Sequence, residues 1–291
     1  MIYRKPTPPS GGTHVWFWDN QIDMKNNGFE IEINADIVKN KDLKWDVSFN
    51  ATTYKNILTR LPEDKDVKGY PAGNYWRKLG GSLYDFYLPQ YAGVEESTGL
   101  PMWYTNNESN EKVTTTNYSE ATLYEIGKSS IPDFYGGLST KIVFNNFDFS
   151  VQTAFQLGGY VYDNVYADLM GAGEAGTNWS KDIFNRWSIG NTDTNVPRVS
   201  LKDQNANALS DRFLIDASYF SLRNISFGYT FPKKVLKNSG IDNARIYIVG
   251  DNLLLLSERQ GLDPRQSFSG DTYAGTYSAL RTTSVGLTVN F

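Results

Sequence analysis

Over most of the chain, apolar residues recur at every second position. After the turn-like Lys25-Asn26-Asn27-Gly28, one face carries Phe29, Ile31, Ile33, Ala35 and Ile37, and the other carries Glu30, Glu32, Asn34 and Asp36. Successive side chains of a strand point to opposite faces, so this run predicts a strand and fits no helix. Beyond Asn40-Lys41-Asp42 the alternation resumes, with Leu43, Trp45, Val47, Phe49 and Ala51 set against Lys44, Asp46, Ser48, Asn50 and Thr52. The two runs make a hairpin. A second hairpin turns at Asn145-Asn146, between Ile142 and Phe144 on one arm and Phe147, Phe149, Val151, Phe155 and Leu157 on the other. Asparagine tolerates the positive φ that a two-residue turn demands.

Toward the C-terminus, Ile225, Phe227, Tyr229 and Phe231 alternate with Ser226, Gly228 and Thr230, and Pro232 removes the donor that would extend the ladder. Phe220 and Leu222 lie in the opposite phase, which predicts a bulge near Arg223-Asn224. The chain closes on Val285, Leu287, Val289 and Phe291, alternating with Ser284, Gly286, Thr288 and Asn290. Period matching gives about ten strands, near 13–22, 28–39, 43–58, 82–92, 101–105, 134–144, 147–161, 217–231, 243–256 and 277–291. Short helices fit only around 163–170 or 181–187, and no repeat of fixed period marks a propeller. The fold class is all-β.

Connection lengths are unequal. Short links at 40–42, 145–146 and 232–242 contrast with polar stretches at 59–81, 106–133, 162–216 and 257–276. Long structureless loops are uncommon in a compact soluble domain, whereas short turns at one end and long loops at the other describe an outer-membrane barrel. Alternation alone leaves both open. In a soluble sandwich the Phe29/Ile31/Ile33 face is core; in an antiparallel transmembrane β-barrel it meets lipid, and Glu30, Glu32 and Asp36 line the lumen. Strand length leans toward the barrel, since a tilted strand crosses a bilayer in ~9–11 residues.

Composition removes other classes. Among 291 residues there is no cysteine and one histidine, His14, so disulfides, thiolate nucleophiles and multi-histidine metal sites are out. A net charge of −4 without clustered Lys or Arg argues against nucleic acid as a partner. No apolar run approaches the ~20 residues of a membrane helix, and the Pro- and Gly-rich start lacks the apolar core of an export signal. Asp193, Thr194, Asn195 and Asp263 offer oxygen ligands without a full calcium-loop spacing, the glycine pairs at 80–81, 136–137 and 158–159 precede no helix, and no G-x-S-x-G is present. Neither a metal, a cofactor nor catalysis is expected. The aromatic load is heavy, with 19 Tyr, 16 Phe and 7 Trp. Trp76, Trp103, Tyr104, Trp179, Trp187 and Tyr273 fall in the long connections, where they either stack on a substrate or pack, while Trp16, Trp18 and Trp45 fit an interfacial girdle.

The ordered set Ser221-Leu222-Arg223-Asn224-Ile225-Ser226-Phe227-Gly228-Tyr229-Thr230-Phe231-Pro232, Gly250-Asp251-Asn252-Leu253, Gly261-Leu262-Asp263-Pro264 and terminal Phe291 resembles the C-terminal signature of SusC/RagA-type TonB-dependent outer-membrane transporters. Upstream, Asn27-Gly28-Phe29-Glu30, Tyr91-Ala92-Gly93-Val94, Ile131-Pro132-Asp133-Phe134, Gly136-Gly137-Leu138-Ser139, Phe155-Gln156-Leu157-Gly158-Gly159 and Arg186-Trp187 resemble the same family in order. The likeness departs at Ser278, where proline is frequent, at Arg265, where an acidic residue is common, and in the absence of anything like a plug domain.

The resemblance implies the C-terminal part of a ~22-stranded barrel, with residues 1–291 as barrel alone and Met1 an internal or artificial start. It implies import of bulky glycan oligomers or peptides across the outer membrane of a Gram-negative cell. The implied partners are a SusD-like surface lipoprotein, the TonB complex acting through a plug region, outer-membrane lipid, and the barrel assembly machinery reading Val285, Leu287, Val289 and Phe291. With Phe291 at the periplasm, 162–216 and 257–276 lie outside and 232–242 inside. The competing expectations are a soluble all-β carbohydrate-binding module and a small stand-alone porin.

Overall fold

The computed structural model describes the chain except residues 9, 11, 13–15, 66, 172–175, 201–204, 238 and 274, so His14 lies outside the described residues. Strands β1 (Ile2–Pro6) and β2 (Trp16–Asn20) form a ribbon ahead of the long hairpin β3 (Asp23–Lys39) and β4 (Leu43–Arg60). Seven short strands follow: β5 (Tyr70–Ala72), β6 (Tyr75–Arg77), β7 (Asp85–Pro89), β8 (Tyr91–Val94), β9 (Pro101–Asn106), β10 (Lys112–Thr115) and β11 (Leu123–Ser129). The hairpin β12 (Phe134–Phe144) and β13 (Phe147–Leu157) then leads to β14 (Tyr160–Tyr162), helix α1 (Asn164–Leu169) and β15 (Leu214–Asp216). The chain ends with β16 (Tyr219–Thr230), helix α2 (Lys233–Leu236), β17 (Asn243–Ser257) and β18 (Thr282–Asn290).

One sheet dominates, seven strands in the order β18-β17-β16-β13-β12-β4-β3, every neighbouring pair antiparallel. Its register sorts the two faces. Val285, Ile248, Phe227, Phe149, Ile142, Trp45 and Val38 lie side by side across all seven strands, one apolar residue from each. On the other face, Thr282, Asp251, Asn224, Gln152, Ser139, Ser48 and Asn34 form a continuous polar row. Nothing among the described residues covers the apolar face, where Phe29 is 68%, Leu287 65% and Val285 72% exposed.

The sheet has seven strands where periodicity predicts about ten. The 82–92 run is split into β7 and β8, and 101–105 is β9; all three belong to small sheets of three or four strands outside the large one. The 13–22 run contributes only β2 to the ribbon. At 147–161 the strand stops at Leu157, because Gly158 and Gly159 take φ of 73° and 78°, a left-handed region that ladders do not use. The sheet ends in two unpaired edges, β3 and β18, and does not close on itself.

The predicted irregularity at Arg223-Asn224 is present: the β16 register slips against both neighbours there, with Asn252 of β17 at φ 52°. Asn145 likewise takes φ 52° in the two-residue turn between Phe144 and Phe147. Link 232–242 holds α2. The long connections all leave the opposite end of the sheet from the short turns, and they are structured. Their side chains supply the main core, in which Phe86, Leu88, Tyr162, Met170, Ile183 and Phe213 are buried together.

Candidate functional site

Three long loops, 61–133, 158–218 and 258–281, fold into one body at the end of the sheet. Direct hydrogen bonds join each pair. Between the first and second, the Tyr91 backbone N–H donates to Asp211 Oδ1 at 2.8 Å and the Tyr118 hydroxyl to the Leu209 carbonyl at 2.8 Å. Between the first and third, the Tyr75 hydroxyl donates to the Ser269 carbonyl at 2.6 Å and to Asp271 Oδ2 at 3.0 Å. Between the second and third, Arg259 pairs with Asp163, whose side chain is 1% exposed. Burial pushes the Asp211 and Asp271 carboxyls above their ordinary range and the Tyr91 hydroxyl up to about 12.

The two positions at which the sequence departs from the pattern it resembles, Arg265 and Ser278, meet on one side chain. Arg265 Nε and Nη2 each donate to the Asp263 carboxylate at 2.7 Å, Arg265 Nη1 reaches Ser221 Oγ of β16 at 3.1 Å, and the Ser278 hydroxyl also bonds to Asp263. Burial alone would raise the Asp263 carboxyl; the arginine outweighs it and holds the group below its ordinary value.

The six aromatic residues singled out from the sequence are not gathered. Trp103 is 1% exposed, with the rings of Tyr91 and Tyr118 at centroid distances of 6.5 and 5.0 Å, so it presents no face to a ligand. Trp76 packs on Tyr87 at 4.7 Å. Trp187 lies over Gly99 and donates Nε1–H to the Glu96 carbonyl at 3.0 Å. Tyr104 carries the Lys112 ammonium 4.1 Å above its ring. Trp179 and Tyr273, at 39% and 64% exposed, keep open faces. No ring contact among the described residues joins two of the six.

A different set of side chains converges instead. Tyr54 of β4, Tyr135 of β12 and Gln156 of β13 stand together on the polar face at the loop end, because Tyr135 is in register with Gln156 on one side and with Thr52 on the other. With Tyr160, Pro132 and Phe268 from the three loops they line a cavity of about 290 Å³, close to the lower limit of the ~300–1,000 Å³ of ligand pockets. These residues sit in runs that read only as strand or loop, and only the register of three strands brings them side by side.

Farther along the polar face, toward the short turns, Arg245 of β17 reaches across β16 to Asp148 of β13, with Nε to Oδ1 at 2.9 Å and Nη2 to Oδ2 at 2.6 Å. The pair passes over Gly228, where any Cβ would collide with both partners. Val285, Leu287 and Phe291 all present their side chains outward from the edge of the sheet, Phe291 at 87% exposed, and Val289 of the same strand is half-buried.

No family model matches the chain. It is 26% identical over 322 residues to TonB-dependent receptor P3 of Formosa agariphila, covering 100% of this chain and 31% of that receptor. To TonB-dependent receptor SusC of Bacteroides thetaiotaomicron it is 27% identical over 281 residues, covering 92% of this chain and 26% of that one. Among solved structures, the RagAB peptide importer in its open-open state superposes with a TM-score of 0.84 at 25% identity, over 100% of this chain and 31% of that chain. The chain thus spans between about a quarter and a third of the length of the relatives it matches. Over the region it shares with them, the chain is similar in both sequence and fold to TonB-dependent transporters of the SusC/RagA type.

Proposed function

We propose that this chain supplies barrel wall and outer loops to a Gram-negative outer-membrane transporter that imports bulky nutrients, glycan oligomers or peptides, and catalyses no reaction. The observation that carries the reading is the uncovered apolar face, continuous across seven strands and backed by an equally continuous polar one. In water such a face is an aggregation surface; in hydrocarbon it is matched by lipid, while the polar face lines an aqueous lumen. The 11-residue strands β12 and β13 suit the ~9–11 residues of a tilted membrane strand. Hydrocarbon tolerates no unpaired strand edge, so β3 and β18 need further strands beside them, as in a large barrel of about 22 strands. On this reading residues 1–291 are the C-terminal portion of such a barrel.

The loops then stand outside the cell and the short turns face the periplasm. A surface lipoprotein of the SusD kind caps the loop body, TonB acts through a plug region, and the assembly machinery reads the closing strand with Phe291. Substrate stacking falls to the open rings of Trp179 and Tyr273 and to the accessible part of Tyr104.

Fractionation tests the reading. The protein is expected in the outer membrane, extracted only by detergent, with gel mobility that changes on heating. Recovery in the soluble fraction, as a carbohydrate-binding module would behave, overturns it; a closed pore built from this chain alone would point to the stand-alone porin.

A further inference from the structure

We propose that the cavity between Tyr54, Tyr135, Gln156, Tyr160 and Phe268 is a subsite for one neutral sugar ring. The proposal rests on the transport reading only for where the sugar comes from. Three features of the cavity point to that ligand.

The first is its rings. Tyr54 and Tyr135 meet at 89° with centroids 6.2 Å apart, one offering a face where the other offers an edge. Phe268, 69% exposed, is held edge-on against Tyr84 at 5.5 Å and projects from the third loop toward the same space. A pyranose has one face of C–H groups, which packs on an aromatic ring, and a rim of hydroxyls.

The second is its unpaired polar groups. The hydroxyls of Tyr54, Tyr135 and Tyr160 form no hydrogen bond to the protein among the described residues, unlike those of Tyr75, Tyr91 and Tyr118 in the loop body. Gln156 spends its amide N–H groups on the carbonyls of Gly158 and Ala217 at 3.3 and 3.2 Å, which fixes the side chain and leaves Oε1 as a free acceptor. Three groups that both donate and accept, plus one fixed acceptor, suit the hydroxyls of a sugar.

The third is charge. No ionisable acid or base lines the cavity besides the tyrosines, so the ammonium or carboxylate of a peptide terminus would enter without a counter-ion. Lys128 is not part of the lining, and its ammonium is held 4.3 Å from the centroid of the Tyr160 ring. A neutral, hydroxyl-rich ligand avoids that cost.

The test is calorimetric titration of the full chain in detergent with laminarihexaose, cellohexaose, mannohexaose and maltohexaose, alongside free glucose and a tryptic digest of casein. At least one hexasaccharide is expected to bind. Competition by glucose marks a site for a free sugar, and its absence one for a residue of an oligomer; both support the assignment. The triple variant Tyr54→Phe, Tyr135→Phe, Tyr160→Phe keeps the rings and the fold and is expected to weaken binding at least tenfold, as is Gln156→Leu. Binding of no hexasaccharide, binding unchanged in these variants, or binding of the casein peptides alone overturns the assignment. A chain that fractionates with the outer membrane yet ignores sugars sinks the subsite and leaves the transport reading standing; a soluble chain that binds sugar does the reverse.

Discussion

Arg259 closes two hydrogen bonds onto the carboxylate of Asp163, ninety-six residues earlier in the chain, one of them from Nε at 3.0 Å. The same carboxylate caps helix α1 by accepting the Tyr166 backbone N–H at 3.0 Å, and it accepts the Thr272 hydroxyl at 3.3 Å. One buried charge thus caps the start of a helix in one loop and anchors two residues of another.

Removing one partner of a buried ion pair leaves the other charge uncompensated, a loss of about 3–5 kcal/mol. Arg259→Met is expected to lower the opening free energy of α1 by about 3 kcal/mol, read from hydrogen exchange of the Asn164–Leu169 amides, with β12 and β13 unchanged. Equal loss of protection in the sheet would show that the loop body does not open on its own.

Gly228 is the crossing point of the Asp148–Arg245 pair. Gly228→Ala is expected to destabilise the sheet by about 1–3 kcal/mol, the cost of forcing a methyl into occupied space, and to cost much less in a chain already carrying Asp148→Ala and Arg245→Ala. Additive effects in that comparison, measured by heat-modifiable mobility, would mean the glycine serves the backbone and not the pair.

Acid should tighten the loop body. Burial raises the carboxyls of Asp85, Asp211 and Asp271, so the folded loops bind protons that the unfolded chain has already released. Stability from these groups is present below the ordinary carboxylate value and is lost as pH rises through their folded values. Asp263 acts oppositely, stabilising above the ordinary value and losing its contribution only as pH falls through its lowered one. The unfolding temperature is therefore expected to fall from the mildly acidic range toward neutrality, and Asp271→Asn to flatten the slope. A rise over that interval would contradict the burial of these groups.

The six loop aromatics should separate by measurement. Trp103→Ala empties a buried site and is expected to cost about 3–5 kcal/mol, whereas Trp103→Phe, which also discards a buried indole N–H without a partner, costs under about 1.5 kcal/mol. Trp179→Ala and Tyr273→Ala, on exposed side chains, should change unfolding by no more than about 0.5 kcal/mol and report on ligand affinity alone.

Deleting Phe291, 87% exposed beyond the last strand, is expected to reduce membrane assembly several-fold, read as the heat-modifiable fraction in whole cells, without altering the strand pairing of molecules that do insert. Undiminished assembly would leave Phe291 as an ordinary edge residue.

The long strands were legible because alternation over nine or more residues has a single explanation, and register then follows from keeping Phe29, Phe49, Phe149 and Phe227 on one face. Periodicity reports which way a side chain points and says nothing about which strand lies alongside. For that reason 82–92 and 101–105 read like the wall although they pair within the small sheets of the loops, β7 with β6 and β11, and β9 with β8 and β10. The three-residue strands β5, β6, β14 and β15 are too short to show any period. Trp103 and Trp179 look alike as loop tryptophans, yet one is a core residue and the other open, a distinction made by neighbours such as Tyr118 that the local sequence does not identify. The Tyr54, Tyr135 and Gln156 cluster stayed hidden for the same reason, as its members come from three different strands.

The bonds of Tyr91 to Asp211, Tyr75 to Asp271 and Arg259 to Asp163 give each long loop a debt to both of the others. A single loop grafted from a relative would arrive without its counterpart carboxylate or donor and strand a buried polar group in its neighbour. Changes of specificity in this chain are therefore to be sought in exchanges of all three loops as a set, or in point substitutions at rings that owe nothing to the interlock.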